Sequence, residues 1–308
     1  MITRCASLCE LDVAALCRAV IPSDASTPSS SALEAVVQRI GEEATWSCCD
    51  RLYLGSSFCV NAFLRGTERS VMQAVQTFAE SHGISCTLTV PTPSEGELPI
   101  VKRRLALLLE AFSCFDEVTV NDYGMLDWLA DRGDVALNVG RLFSKDLRDL
   151  RYEAGFPSAY RPAFLGAGLD ALQEAYPTIR GIEFDPCGRA IDLTEAPLIV
   201  TPAVHAPYLF VTTGSFCPYA PVTDKGIPAR AGSPCSHQCD EALTTYRLEG
   251  EAGAAANDAQ AAADVFYTKH GKTVYMMNEG VPVRSRVAYR VVRAPRHFGW
   301  LLDAEAQR

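Results

Sequence analysis

Apolar and polar positions follow two periodic patterns, which alternate through the middle of the chain. Short β-rich runs predict strands, and stretches in which apolar residues recur every three or four positions predict amphipathic helices. The predicted strands cover residues 51–54, 85–90, 117–120 and 135–139, and the predicted helices cover residues 70–80, 101–112 and 124–130. Strand–helix alternation is typical of parallel strands joined by right-handed crossovers, so the pattern predicts an α/β fold.

This pattern of apolar and polar positions is less regular in the second half of the chain. The pattern predicts helices at residues 163–175 and 257–263, and strands at residues 181–184, 198–201, 209–212, 273–277 and 287–292. A Gly- and Pro-rich loop, residues 214–240, interrupts this part and carries three cysteines. Loops of this length inside a compact domain are usually functional or disordered, and the cysteines favour a function.

The N-terminal segment has a different pattern. Residues 1–45 predict one or two helices around a Ser-, Thr- and Pro-containing linker at residues 23–31, with no strand. We therefore expect a helical extension over residues 1–45 and one α/β domain over residues 46–308.

Length and charge narrow the classes of protein. A chain of 308 residues suits one α/β barrel or two medium domains, and 48% hydrophobic with 21% charged residues is typical of a globular protein. With Lys+Arg 28 against Asp+Glu 37, the formal net charge is −9. Nucleic-acid binding over the whole surface is disfavoured, because phosphate affinity depends on clustered Lys and Arg.

The sequence predicts a cytoplasmic protein. Acidic residues interrupt the apolar stretch at the N-terminus, which differs from a secretory signal. The longest apolar stretch, residues 196–213, contains Pro197, Pro202 and Pro207, so we expect no membrane-spanning helix there.

The cysteines carry the clearest candidate chemistry. In a reducing cytosol, many cysteines point to metal binding or catalysis before they point to disulfides. Cys217, Cys235 and Cys239 form a C-x17-C-x3-C pattern in one polar loop. Thiolates select iron–sulfur clusters or zinc, and a four-iron cluster takes four of them. Cys59 is the leading fourth ligand because it follows the predicted strand that ends at Gly55, where a barrel places its functional loops.

Two alternatives stay open for the cysteines. The metal is either an iron–sulfur cluster or zinc, with His237 between the two closest thiols as the fourth zinc ligand. Cysteine is also a small buried hydrophobe in many proteins. That second interpretation suits Cys5, Cys9, Cys17, Cys86 and Cys114, whereas Cys187 stays ambiguous.

Polar residues at predicted strand ends are candidates for a pocket at a barrel mouth. They are Asp122, Arg141, Lys145, Glu183, Asp185 and His205. Arg141 and Lys145 either hold an anionic substrate or begin a solvated helix. Glu183 and Asp185 share one face of a strand, as a pair for acid–base chemistry or as a polar rim. His205 is either catalytic or a hydrogen-bonded structural residue.

Several segments resemble the peptidase U-thirty-two family, and within it the iron–sulfur branch that includes the oxygen-independent ubiquinone-hydroxylation proteins. The first is Leu52-Tyr53-Leu54-Gly55-Ser56-Ser57-Phe58-Cys59. The others are Asn121-Asp122-Tyr123-Gly124, Asn138-Val139-Gly140, His205-Ala206-Pro207-Tyr208-Leu209, Gly214-Ser215-Phe216-Cys217 and Cys235-Ser236-His237-Gln238-Cys239. Together they span residues 50–245 in the order of the family, whereas the family's first strand is not recognisable before Cys48.

The resemblance implies a TIM-like barrel with a [4Fe-4S] cluster on Cys59, Cys217, Cys235 and Cys239. It also implies oxygen-independent hydroxylation or a related redox modification of a small molecule or RNA. An electron donor and a paralogous barrel subunit are the implied partners. The alternatives are a structural zinc or iron–sulfur barrel that binds a partner, and a peptidase, as the family name suggests.

Overall fold

The computed structural model describes residues 1–21, 28–144, 159–185, 190–220, 235–240, 242–247, 266–277 and 282–295. In chain order the strands are β1 (Ile2–Ser7), β2 (Arg51–Gly55), β3 (Ser85–Val90), β4 (Phe115–Val120), β5 (Ala136–Val139), β6 (Ala159–Tyr160), β7 (Ile179–Phe184), β8 (Ala190–Leu193), β9 (Thr201–Ala206), β10 (Tyr208–Thr213), β11 (Thr244–Arg247), β12 (Phe266–His270), β13 (Thr273–Met277), β14 (Val283–Ser285) and β15 (Tyr289–Arg293). The helices are α1 (Val13–Val20), α2 (Ser30–Glu43), α3 (Val60–Gly66), α4 (Arg69–His82), α5 (Leu98–Ala111), α6 (Tyr123–Arg132) and α7 (Ala167–Ala175).

Eight parallel strands close into a barrel in the order β1-β2-β3-β4-β5-β7-β9-β15. Strand β1 closes it, because β1 pairs with β2 on one side and with β15 on the other. Helices connect successive strands from β2 to β5, as right-handed crossovers between parallel strands require. The expected α/β, TIM-like barrel is therefore confirmed.

The N-terminal expectation needs correction. Residues 1–45 contain helices α1 and α2, but they also contain β1, which the sequence pattern does not predict. Strand β1 carries Arg4 and Ser7 among its six residues, and this polar content hides the strand from a search for apolar runs. The first barrel strand thus lies before Cys48, within the segment that was expected to be only helical.

The middle of the chain folds as its periodicity predicts. Strands β2 to β5 and helices α4 to α6 match the expected segments within a few residues. Helices α4 and α6 end at Gly83 and Gly133, both in the left-handed conformation that glycine adopts without penalty. The expected strand at residues 198–201 lies instead at 201–206, since its apolar residues Leu198 and Ile199 are exposed before the barrel begins.

Polar side chains fill much of the barrel interior. Arg290 on β15 donates to the Glu117 carboxylate on β4, at 2.8 Å for one of its two hydrogen bonds, and to the Tyr53 hydroxyl on β2 at 3.1 Å. These strands are not neighbours, so the bonds cross the barrel. Apolar residues such as Leu88 and Val118 alternate with the polar ones along their strands and are buried on the opposite face. The interior thus differs from the layers of branched apolar residues that are usual in this fold.

Two smaller sheets accompany the barrel. Strands β10, β13, β12 and β11 form an antiparallel sheet, which the chain builds between barrel strands β9 and β15. Strands β14, β8 and β6 form a second, parallel sheet. Tyr275 and Phe210 from the antiparallel sheet pack on Phe58, which follows β2, so this sheet lies over the C-terminal end of the barrel. The expected helix at residues 257–263 lies outside the described residues.

Within the described ranges, no helix is both long and apolar enough to cross a membrane.

Candidate metal site at the barrel mouth

Cys59 lies at the C-terminal end of the barrel. The chain leaves β2 through Gly55, turns at residues 56–58 and enters α3 with Cys59 as the residue before its first turn. Gly55 has φ +100°, and a Cβ there would lie 2.2 Å from the Thr89 carbonyl oxygen. This position therefore requires glycine, and the tight turn brings Cys59 to the barrel mouth.

The other three predicted ligands come from the segment that forms the antiparallel sheet. Cys217 follows β10, and Cys235 and Cys239 belong to residues 235–240, where a 3₁₀ helix covers Gln238–Asp240. The β12–β13 hairpin turn packs on this helix, since a Cβ at Gly271 would lie 3.5 Å from the Cys239 Cβ. Much of the expected loop, residues 221–234, lies outside the described residues.

The charges of the other three predicted thiols act on Cys239. Burial, and after it the charges of Asp240, Cys59, Cys217 and Cys235, raise the pKa of Cys239 to about 12. Cys239 therefore lies within electrostatic range of the other three thiols. Binding a cation favours thiolates that crowding and burial otherwise disfavour, as a thiolate metal site requires.

Local hydrogen bonds partly offset the effect of burial on the Cys59 thiol, whose pKa stays raised. Burial raises the pKa of Cys59, whereas the backbone N–H groups of Ala62 and Asn61 and the charge of Lys272 lower it. The thiol is also half-buried, so a ligand there is partly shielded from water.

The tightest ligand group nearby is Cys239, Asp240 and His270, whose ligand atoms all lie within 4.8 Å of one another. Among the described residues, no three of the four predicted thiols form such a group. A tetrahedral zinc ion with bonds of about 2.3 Å holds its thiolates roughly 3.8 Å apart. A four-iron cluster places an iron–sulfur core between its thiolates and spaces them more widely than a zinc ion does.

Arg65 makes Asp240 a poor metal ligand. Its guanidinium forms a close ion pair with the Asp240 carboxylate and lies 3.6 Å from the Asp12 carboxylate. His270 Nε2 is 3.5 Å from the other Asp240 oxygen. Burial alone would raise the pKa of Asp240, but His270 and Arg65 hold it below its usual range. The carboxylate is therefore engaged by Arg65 and His270 of the protein itself.

His237 keeps the zinc alternative open. Its Nδ1 lies 3.7 Å from the Cys235 Sγ, and its φ of +56° is rare for a residue with a side chain. Burial lowers the pKa of His237, and the charge of Arg65 lowers it further, which favours the neutral ring that a metal needs.

Most of the remaining cysteines pack as small hydrophobes. Cys5 in β1, Cys17 in α1 and Cys86 in β3 are buried. Burial raises the pKa of Cys17 to about 11, so this thiol stays protonated near neutrality. Cys5 was expected in a helix and lies in a strand instead, and Cys187 lies outside the described residues.

Glu183 and His205 form a pair within the barrel. Glu183 on β7 accepts a hydrogen bond from the Thr119 hydroxyl at 2.6 Å, and its second oxygen lies 2.9 Å from the His205 Nε2 on β9. Glu183 is fully buried and His205 is 7% exposed. Glu183 thus contacts His205, whereas its neighbour on the same strand face, Asp185, contacts a different residue.

Asp185 pairs with Arg141, at the ends of β7 and β5. The Arg141 Nε lies 3.0 Å from both carboxylate oxygens, and its Nη2 donates to Asp185 and to the Tyr208 carbonyl at 2.8 Å. The Phe210 N–H also donates to Asp185, at 2.9 Å. Arg141 therefore joins the barrel to the antiparallel sheet, and an anionic substrate would have to compete with Asp185 for it.

Asp122 and Lys145 contribute less to the site. Asp122 caps α6, because its carboxylate accepts the Met125 N–H at 2.9 Å, and burial raises its pKa. A structural role as helix cap accounts for its position at a strand end. Lys145 lies outside the described residues.

Sequence analysis missed the residues that surround the thiols. Glu10, Arg65 and His270 lie far from the cysteine loop along the chain, and no spacing pattern marks them. The available signals are weak: Asp240 follows a predicted ligand directly, and Arg65 lies six residues after Cys59.

Comparison of the chain with protein-family models, with curated proteins and with solved structures finds no match. The resemblance to the peptidase U-thirty-two family therefore rests on the segments quoted above.

Proposed function

We propose that this chain is an iron–sulfur protein that binds a [4Fe-4S] cluster through Cys59, Cys217, Cys235 and Cys239. The observation that carries the proposal is that the Arg65–Asp240 ion pair joins the helix that follows Cys59 to the segment of Cys239, which lies within electrostatic range of the other three thiols. The donor set fits the group, since a four-iron cluster takes four soft thiolate ligands. The engagement of the Asp240 carboxylate by Arg65 further supports it, because the thiols then remain as the ligands.

We further propose that the protein takes part in an oxygen-independent hydroxylation or a related redox modification of a small molecule or RNA. Such a cluster supplies electron transfer, because four protein ligands leave no iron open to substrate. The cysteines and the buried pairs Glu183–His205 and Arg141–Asp185 lie at the C-terminal end of the barrel, where enzymes of this fold have their active sites. The choice of hydroxylation rests on the family resemblance, as do the electron donor and the paralogous barrel subunit.

Within that reaction, the residues of the chain have distinct tasks. Glu183 holds the His205 ring through Nε2, so His205 can accept or release a proton at Nδ1. The antiparallel sheet places Phe210 and Tyr275 over the barrel mouth, which limits access of water.

The first experiment measures iron, acid-labile sulfide, zinc, absorption and EPR spectra of protein purified without oxygen. We expect about four irons per chain and broad absorption near 400 nm. Ala variants of Cys59, Cys217, Cys235 and Cys239 should each lose most of both signals. Cys48→Ala is the matched control, because Cys48 is an exposed cysteine outside the set.

The metal found decides between the candidate functions. Colourless protein with stoichiometric zinc, lost when Cys235 or His237 is replaced, would contradict the redox proposal and favour a structural zinc barrel that binds a partner. Peptide cleavage that survives loss of all four cysteines would favour the peptidase alternative.

A further inference from the structure

One buried carboxylate outside the proposed ligand set faces the turn that carries Cys59. Glu10 follows β1, has φ +68° and is 6% exposed. Left-handed backbone is costly for a residue with a side chain, and so is burial of a carboxylate. Both costs need compensation from specific contacts.

Within the described part of the chain, the hydrogen bonds of Glu10 go to the turn after β2. Its backbone N–H donates to the Gly55 carbonyl at 3.1 Å. Its carboxylate accepts from the Ser56 hydroxyl at 2.6 Å, from the Ser57 N–H and from the Phe58 N–H at 3.3 Å. One side chain from the end of β1 therefore binds three consecutive residues before Cys59.

Ser56 extends this contact to Cys59 itself. The Ser56 Oγ accepts hydrogen bonds from the Cys59 N–H at 2.8 Å and from the Phe58 N–H at 3.2 Å. Because two N–H groups occupy its lone pairs, the hydroxyl proton is left for the Glu10 carboxylate. The direction of these bonds requires Glu10 to act as an acceptor. Burial raises the pKa of Glu10, whereas the hydrogen bonds from Ser56 and Ser57 lower it by favouring the carboxylate. The charge of that carboxylate reaches the Cys59 thiol.

We propose that Glu10 is a positioning residue for the metal site: it fixes the turn that presents Cys59, and its negative charge lowers the reduction potential of the bound cluster. This inference rests on the proposed function for the cluster, but the positioning of Cys59 also has consequences in metal-free protein.

The test compares the wild type with Glu10→Gln and with Glu97→Gln as matched control. Glu97 is 7% exposed and accepts hydrogen bonds from the Ser94 N–H and hydroxyl at the start of α5. Replacing Glu97 therefore weakens hydrogen bonds of the same kind away from the Cys59 turn. The metal-loaded protein is assayed for iron affinity and, by EPR-monitored titration, for midpoint potential. Alkylation of Cys59 and Cys48 is followed by peptide mass mapping in metal-free protein.

Glu10→Gln should weaken metal binding about 10- to 100-fold, as loss of a group that orients a ligand does. Cluster that remains should have a higher midpoint potential than in the wild type. Cys59 should be alkylated about tenfold faster, because the turn opens when charge-assisted hydrogen bonds are lost, whereas the rate for exposed Cys48 stays the same. If Glu10→Gln fails to fold, Ser56→Ala replaces it as a smaller change. This variant should shift the metal affinity, the midpoint potential and the Cys59 alkylation rate in the same direction.

The outcomes separate the two proposals. Wild-type affinity, potential and Cys59 reactivity in Glu10→Gln would overturn the role of Glu10, and so would equal effects in Glu97→Gln. A wild type that binds no metal, combined with faster Cys59 alkylation in Glu10→Gln, would overturn the cluster and retain the positioning of Cys59.

Discussion

Individual charged side chains inside the barrel are each matched by a specific partner. Glu117 has Arg290, Glu183 has His205, and Asp185 has Arg141. Burying an unpaired charge is far more costly than burying a pair, so these partners explain how the barrel tolerates a polar interior. The same pairing limits chemistry, since a residue that is engaged in this way needs a competing ligand before it can act.

Arg141 and Asp185 allow a direct test at this scale, because both side chains are buried. Arg141→Met should lower the free energy of unfolding by about 3–5 kcal/mol, since it leaves the Asp185 charge without its partner. The double variant Arg141→Met with Asp185→Asn should recover much of that loss, because the asparagine is neutral and its carbonyl can still accept the Phe210 N–H. Urea unfolding of metal-free protein measures each value.

A surface pair provides the comparison for that cycle. Arg132 and Asp134 are partly exposed, and loss of Arg132 should cost no more than about 1 kcal/mol. If Arg141→Met costs as little as Arg132→Ala, the buried pair does not stabilise the barrel mouth as the hydrogen bonds suggest.

Short elements carry two of the proposed ligand thiols, Cys59 and Cys239. Cys59 precedes the seven-residue helix α3, and Cys239 lies in a 3₁₀ helix of three residues. Arg65 on α3 pairs with Asp240 in the 3₁₀ helix, across 175 positions of sequence. The ion pair therefore holds together the two chain segments that contribute proposed ligands.

Replacing Arg65 should separate these elements. Arg65→Met should lower metal affinity by about tenfold or more, because it removes the contact that orients both segments. Asp240→Asn should have a smaller effect, since its amide oxygen can still accept from Arg65. Chelator competition on the loaded protein measures both affinities, with Arg132→Ala as the control. Equal affinity in Arg65→Met and the wild type would contradict a role for this pair.

At the scale of the whole molecule, periodicity predicts the parts of the barrel that bury apolar residues. Strand β3 and helix α4 follow their expected bounds closely. Leu88 takes part in the alternating pattern of β3, and Val71 and Val75 are one helical turn apart in α4, as each type of element requires. Strand β1 was missed because its sequence, ITRCAS, mixes a charge and two hydroxyls with its apolar residues. Polar interior residues such as Glu117 defeat a rule that equates buried strands with apolar runs.

The candidate site, like the fold, was predictable from the sequence only in part. Cys217, Cys235 and Cys239 were identified because thiols in a polar loop are unusual, and Cys59 because it follows a predicted strand; the charges of the other three act on Cys239. Glu10 and Arg65 were not, because a single charged residue in a loop or on a helix has no distinguishing pattern until the fold provides its partner. Tertiary contacts between distant segments decide these roles, and sequence spacing does not record them.

The bound metal should stabilise one part of the molecule more than another. Cys59 belongs to the barrel, whereas Cys217, Cys235 and Cys239 belong to the segment of the antiparallel sheet, so a cluster would cross-link the two. Binding energy at such a site becomes folding energy of the elements that it connects. We expect removal of iron to increase hydrogen exchange at least about tenfold in peptides covering residues 208–220, 235–247 and 266–277.

Strands β3 and β4 should keep their exchange rates when iron is removed, because they pair within the barrel and contribute no proposed ligand. Hydrogen-exchange mass spectrometry of the loaded protein, the iron-free protein and the Cys59→Ala variant makes the comparison. The variant should match the iron-free protein, since loss of the barrel's thiol cuts the link from one side. A uniform increase over β3 and β4 as well would mean that the metal stabilises the whole barrel, and no change anywhere would contradict the cross-link. A change confined to the antiparallel sheet requires a metal that connects it to the barrel.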